Sequence, residues 1–121
     1  MTIAIELEYK IPDKLKVSTN TIYAGCHWRK RQLISNYYHS IVIPDCKNLE
    51  QIKEKVNLKF VFTFRWRTLD SSNCTFMAKC LEDGLRKWGL LIDDSIKYVN
   101  EFSCRSEKWV ENKVNIFITS E

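Results

Sequence analysis

A chain of 121 residues, 45% apolar and 28% charged, is long enough for one domain over residues 1–121 around one modest core, and its balance excludes intrinsic disorder. No apolar run approaches the ~20 residues of a membrane span, and Met1 to Glu6 does not read as a secretion signal, lacking a basic start before a long apolar stretch. The net charge of +4 favours a polyanionic partner without demanding one.

In chain order, Ile3, Ile5, Leu7 and Tyr9 alternate with polar or small residues, the pattern of a half-buried strand that Pro12 ends. Residues 13–25 read as a polar loop. A helix is predicted over about 27–38, with Leu33, Ile34, Tyr37 and Tyr38 on one face. Ser40 to Ile43 reads as a short extended piece ending at Pro44, and residues 47–56 as a second short helix. The clearest strand is 58–66, where Leu58, Phe60, Phe62, Phe64 and Trp66 alternate with Lys59, Val61, Thr63 and Arg65. Its aromatic face needs a helix or another subunit over it. The clearest helix is about 73–88, with Phe76, Met77, Cys80, Leu81, Gly84, Leu85 and Trp88 at helical spacing and Gly89 where a C-cap belongs. Residues 96–104 and 112–118 read as two strands, and the polar stretch Arg105 to Glu111 between them suggests a hairpin.

Cys26, Cys46, Cys74, Cys80 and Cys104 form no C-x-x-C pair, so zinc is not expected. They read as reduced, mostly buried thiols of a cytoplasmic protein. His27 and His39 have no partner pattern for acid–base or metal chemistry, and three glycines make no phosphate loop.

The acids around the 73–88 helix are more telling. Asp70 precedes it and Asp93-Asp94 follows it. Taken singly, Asp70 also suits a helix N-cap and Asp93-Asp94 an ordinary turn. Together, on a basic and aromatic chain, they suggest hard oxygen ligands for Mg²⁺ and the cutting of phosphodiesters. Lys79 suits charge developing on a phosphoryl oxygen, or simply an i,i+4 pair with Asp83. Lys14, Lys16, the run Trp28-Arg29-Lys30-Arg31, Arg65 and Arg67 can neutralise phosphates and stack on bases. For Trp28 alone, a core position is the simpler reading.

The ordered set Asp70, Asn73, Lys79, Asp83, Leu85, Gly89 and Asp93-Asp94, followed by Ser95 to Val99, resembles the RusA-type Holliday junction resolvases. Their signature is an acidic D-x-D-N opening a helix, a lysine within it, then D-x-L, a glycine and D-D. The likeness covers residues 58–118, and more weakly Asn20, Tyr23 and His27-Trp28. It implies an α+β fold, a small mixed sheet with helices packed on it in the order β-α-β-α-β-β, RusA-like and dimeric. It implies a Mg²⁺-dependent endonuclease, with Mn²⁺ as substitute, acting on four-way DNA in recombination and repair. Asp70 and Asp94 would be metal ligands and Lys79 the phosphate contact. Ser72 stands where the family has its second Asp, so the Ser72 hydroxyl, Asn73 or Asp93 would complete the metal shell. The alternatives are a junction binder that does not cut, and a protein-interaction module.

A helix of 16 residues spans ~24 Å, and Gly89 to Ile92 reach only ~13 Å when extended. On that arithmetic one chain cannot easily bring Asp94 back to Asp70. The expectation is a homodimer that pairs Asp70 of one subunit with Asp94 of the other, using the aromatic face of the 58–66 strand as interface.

Overall fold

The computed structural model describes residues 2–120. Among them, four strands form one mixed sheet: β1 (Ala4–Lys10), β2 (Val56–Phe64), β3 (Val99–Lys108) and β4 (Lys113–Ser120), in the spatial order β1-β4-β2-β3. β4 pairs antiparallel with both β1 and β2, whereas β2 and β3 run parallel. The helices are α1 (Thr19–Tyr23), α2 (Trp28–Ile41), α3 (Ile43–Asn48) and α4 (Thr75–Lys87). The architecture is α+β, a mixed sheet with helices packed on it. None of the helices is long and apolar enough to cross a membrane.

The period-2 pattern of β2 decides which face is covered. Leu58, Phe60, Phe62 and Phe64 are fully buried with Val114, Ile116 and Ile118 of β4 and Met77, Leu81 and Leu85 of α4. Each large side chain so buried contributes about 1.5–3 kcal/mol. This aromatic row is therefore spent inside its own chain, and the expectation that it supplies a subunit interface is corrected. The strand also stops at Phe64, leaving Trp66 exposed beyond its end.

α2 packs on α4 through a close approach at Gly84. A Cβ there would lie 3.0 Å from His39 Cα and 3.0 Å from Val42 Cγ2. The Trp88 indole nitrogen donates to the His39 carbonyl at 2.9 Å across the same seam.

Several expectations from sequence are corrected. β3 and β4 are not a hairpin, because β2 lies between them. Their connection bridges the end of β2 instead: Trp109 N–H donates to the Phe64 carbonyl at 2.9 Å and Arg65 N–H to Asn112 Oδ1 at 2.8 Å. β4, with three buried apolar residues on one face, takes a central place, and the parallel crossover through α4 sends β3 to the edge. Ser40 to Ile43 is not extended: α2 runs to Ile41, and Pro44 sits in the first turn of α3, where its missing N–H costs nothing. The helix expected at 47–56 is absent. α3 ends at Asn48, and Ile52 forms a parallel bridge with Leu91. The supposed loop 13–25 contains a 3-10 turn, Asp13–Leu15, and α1, which Ser18 caps by accepting from Thr21 N–H at 3.0 Å.

Candidate functional site

Both ends of α4 are held by specific contacts, and these position the charged residues. A 3-10 turn, Ser71–Cys74, leads into the helix. Thr19 Oγ1 accepts from Phe76 N–H at 2.9 Å, while Asn73 Oδ1 accepts from Asn20 N–H at 3.1 Å. α1 and α4 thus satisfy each other's first N–H groups, which a helix start otherwise leaves orphaned. At the other end, Gly89 takes φ +85°. Leu90 N–H donates to the Leu85 carbonyl at 3.0 Å and Gly89 N–H to the Arg86 carbonyl at 3.1 Å. This is a Schellman cap, for which a residue without Cβ is preferred. The chain then turns back, and Ile52 N–H bonds the Leu90 carbonyl at 2.8 Å.

The reversal brings Asp94 against the second turn of α4. Lys79 Nζ lies 2.7 Å from Asp94 Oδ2, 2.7 Å from Glu82 Oε1 and 3.6 Å from Asp83 Oδ1. Asp93 Oδ1 accepts from Asp94 N–H at 2.8 Å and so fixes the turn. Glu82 is almost fully buried, its side chain 4% exposed, whereas Lys79 is about half exposed. Burial raises the Glu82 carboxyl above the usual carboxylate range, against the pull of Lys79. The hydrogen bond from Lys79 holds Asp94 below its ordinary value. For Lys79, burial pulls downward, but the bonds to Asp94 and Glu82 outweigh it and the ammonium is held charged well above its usual range.

One oxygen from each of Glu82, Asp83 and Asp94 lies within 4.8 Å of the others. Three carboxylates and one ammonium sum to −2, the charge that one divalent ion balances. Carboxylate oxygens are the ligands hard cations take, so this cluster can hold a divalent metal ion in general. Lys79, Glu82 and Asp94 line a cavity of about 550 Å³ together with Thr19, Thr75 and Asn100 and the apolar Tyr23, Phe76, Ile96 and Phe102.

Of the residues singled out in the sequence, Lys79, Asp83 and Asp94 come together. Asp70 does not join them: it is exposed, its side chain caps nothing, and it neither belongs to the acidic cluster nor lines the cavity. Ser72 is exposed and its carbonyl accepts from Thr75 Oγ1 at 3.0 Å. Asn73 Oδ1 is engaged in docking α1, and Asp93 Oδ1 in its turn. The Gly89 cap folds the chain back along α4, which carries Asp94 to Lys79. Within one chain Asp94 therefore meets Lys79 while Asp70 stays apart from both the cluster and the cavity.

The basic candidates divide similarly. Lys16 Nζ donates to the carbonyls of Trp66 and Arg67 at 2.7 and 2.9 Å, clamping a turn in which Arg67 has φ +42°. Lys14, Arg29, Lys30, Arg31, Arg65 and Arg67 are exposed. Trp28 is no core residue: it is 63% exposed, stacked on His27, with the Arg29 guanidinium 5.4 Å from its ring centre. Arg65 lies likewise 5.2 Å from the Trp66 ring centre.

Glu82 is not marked out by any sequence pattern. Its one signal is an acid flanking the apolar stripe between Ala78 and Leu85, three residues after Lys79. The five cysteines are unpaired thiols, and burial pushes Cys46 and Cys104 up to about 11, which leaves them unreactive. The chain matches no protein-family model and no curated protein.

Proposed function

We propose that this chain is a divalent-metal-dependent endonuclease that hydrolyses phosphodiesters in branched DNA, as the RusA-type resemblance implies, with Mg²⁺ as its ion and Mn²⁺ as substitute. The observation that supports it best is the gathering of Lys79, Asp83 and Asp94, three positions carried over from that resemblance, with Glu82 at one end of an open cavity. Glu82, Asp83 and Asp94 would hold the ion. When bound, the ion polarises a phosphoryl oxygen and lowers the pKa of a coordinated water. Lys79 keeps its proton and places a positive charge where the phosphoryl oxygens gain negative charge. Asp93, through the Asp94 N–H, keeps the Asp94 carboxylate aimed at the cluster. The exposed cations and aromatics, Arg29, Lys30, Arg31, Arg65 and Arg67 with Trp28 and Trp66, supply phosphate contacts and stacking surfaces.

The test is cleavage of a labelled four-way junction beside a linear duplex of the same sequence. Nicking near the branch that requires Mg²⁺ or Mn²⁺ and disappears in Asp94→Asn is the expected result. The second reading is junction binding without cleavage, and the placement of Asp70 outside the acidic cluster and the cavity favours it. A mobility shift on the junction with no nicking in either metal would decide for that reading.

A further inference from the structure

We propose that the cavity between α1, α4 and the start of β3 seats one unpaired nucleobase of the DNA substrate, stacked on Tyr23 and Phe76, with its phosphate turned toward Lys79 and Asp94. The proposal rests on the nuclease reading for the identity of the substrate. Its own support is the shape and chemistry of the cavity.

At about 550 Å³ the space is of ligand-binding size. Its walls have two characters. Tyr23, Phe76, Ile96 and Phe102 are aromatic or aliphatic, and Lys79, Glu82 and Asp94 are charged. Tyr23 is 72% exposed and Ile96 80% exposed, so two large apolar side chains stand in water on the rim of one cavity. The Tyr23 and Phe76 rings meet edge to face, 6.5 Å between centres and 89° between planes, the preferred geometry for such a pair. That contact steadies Tyr23 while leaving most of its surface free.

A flat π-system carrying an anion fits both characters at once, and a nucleotide is that ligand. Stacking on an aromatic side chain accepts any base, because every base has a π-face. The cluster of Glu82, Asp83, Asp94 and Lys79, of which all but Asp83 line the cavity, carries −2, so a phosphate is welcome there only once a divalent ion has neutralised it. Seating is therefore ion-dependent. It also gives a reason for structure selectivity. Extruding a stacked, paired base costs a few kcal/mol, and least where the base is already unpaired. Pairs at a branch point lack the continuous stacking of a linear duplex and open more readily.

The probe is a short end-labelled single strand with one 2-aminopurine flanked by abasic positions, in Mg²⁺, read by the anisotropy of the label and compared with the same labelled strand abasic throughout. Tyr23 is mostly in water, so its variants keep the fold. Tyr23→Ala is expected to weaken binding of the 2-aminopurine strand about tenfold, and Tyr23→Phe to retain it. The abasic strand is expected to bind both variants and the unaltered protein equally weakly, and chelation of Mg²⁺ to weaken the 2-aminopurine strand. Equal affinity of the two strands, no loss in Tyr23→Ala, or binding indifferent to chelation would overturn the proposal. Junction cleavage is measured separately. Nicking that persists with no base effect overturns the base pocket and leaves the nuclease reading intact. A seated base with no nicking in Mg²⁺ or Mn²⁺ supports the pocket and overturns the nuclease reading.

Discussion

Lys79 Nζ and Asp94 Oδ2 lie 2.7 Å apart although fifteen residues separate them in the chain. The pair ties the segment after α4 to the second turn of that helix and holds it beside a buried acid, Glu82. An exposed ion pair alone contributes little, at most about 1 kcal/mol. Here the third partner is almost out of water, so the arrangement has consequences beyond one surface contact.

Divalent ions are expected to stabilise the protein. A ligand that binds only the folded state at a hundred times its dissociation constant adds about 2.7 kcal/mol. Mg²⁺ and Mn²⁺ should therefore raise the unfolding temperature in a concentration-dependent way. Asp94→Asn and Asp83→Asn should remove most of that shift, while Asp70→Asn and Ser72→Asp leave it in place. Scanning calorimetry across a metal titration checks this. A shift abolished by Asp70→Asn would move the centre away from the 82–83–94 cluster.

Lys79→Met is expected to destabilise the metal-free protein by about 1–2 kcal/mol. The change leaves the Glu82 carboxylate buried without its cation, which is costly in a dry site. The figure is set toward the low end because Lys79 is half exposed and Glu82 can take up a proton instead. Combining Lys79→Met with Glu82→Gln should recover much of the loss. Urea unfolding of the two single variants and the double variant measures the coupling, and additive losses would show that the pair does not interact.

Two groups make stability depend on pH with opposite signs. His39 lies in the α2–α4 seam with its Nε2 buried and without a hydrogen-bond partner. Desolvation lowers its pKa, with Asp83 pulling upward and Lys87 and Arg86 downward. Such a histidine binds fewer protons when folded, so its contribution is full above about pH 6.5 and is lost as pH falls through the folded value. Glu82, raised by burial above 4.5, binds more protons when folded. Its cost is present at neutral pH and is relieved as pH falls through its folded value toward 4.5. Melting temperatures measured between pH 7.5 and 4.5 should lose their acid-side decline in His39→Leu and show a steeper one in Glu82→Gln. Identical profiles in all three proteins would contradict both assignments.

What the sequence revealed depended on whether a pattern was local. Phe60, Phe62 and Phe64 alternate because a strand alternates, and Met77, Leu81 and Leu85 repeat because a helix turns every 3.6 residues. Those elements were legible, as was the Gly89 cap. The place of β4 beside β2 was not, since a polar connection of hairpin length does not reveal that another strand already lies between its ends. Pro44 has the residue type of a helix stop but serves as a helix start, because Asp45 to Asn48 continue in helical conformation after it. At the site, Lys79, Asp83 and Asp94 could be named, but not their meeting. That needed the direction in which the chain leaves Gly89. Glu82 was hidden for a related reason. An acid between Leu81 and Asp83 looks like a solvated helix face until α4 is laid on the sheet and the neighbouring loop covers it.

Gly84 is expected to reject even a methyl group. In an isolated helix, Gly84→Ala should stabilise by nearly 1 kcal/mol, because glycine loses the most backbone freedom on folding. In this protein the new methyl would stand 3.0 Å from His39 Cα, 3.0 Å from Val42 Cγ2 and 3.2 Å from the His39 carbonyl oxygen. Two of those three atoms are backbone of α2, which cannot step aside as a side-chain tip can. Overpacking of this kind costs about 1–3 kcal/mol, so the net effect should be a loss of about 1 kcal/mol. α2 must then ride further from α4, which strains the bond from Trp88 Nε1 to the His39 carbonyl and admits water to His39 Nε2. Gly84→Ala is thus expected to lower the melting temperature at pH 7.5 and to flatten the acid-side decline assigned to His39. Arg86→Ala, at an exposed position of the same helix, tests propensity without the seam and should leave stability within about 0.5 kcal/mol. A Gly84→Ala protein as stable as the original would mean that α2 and α4 do not meet at this glycine.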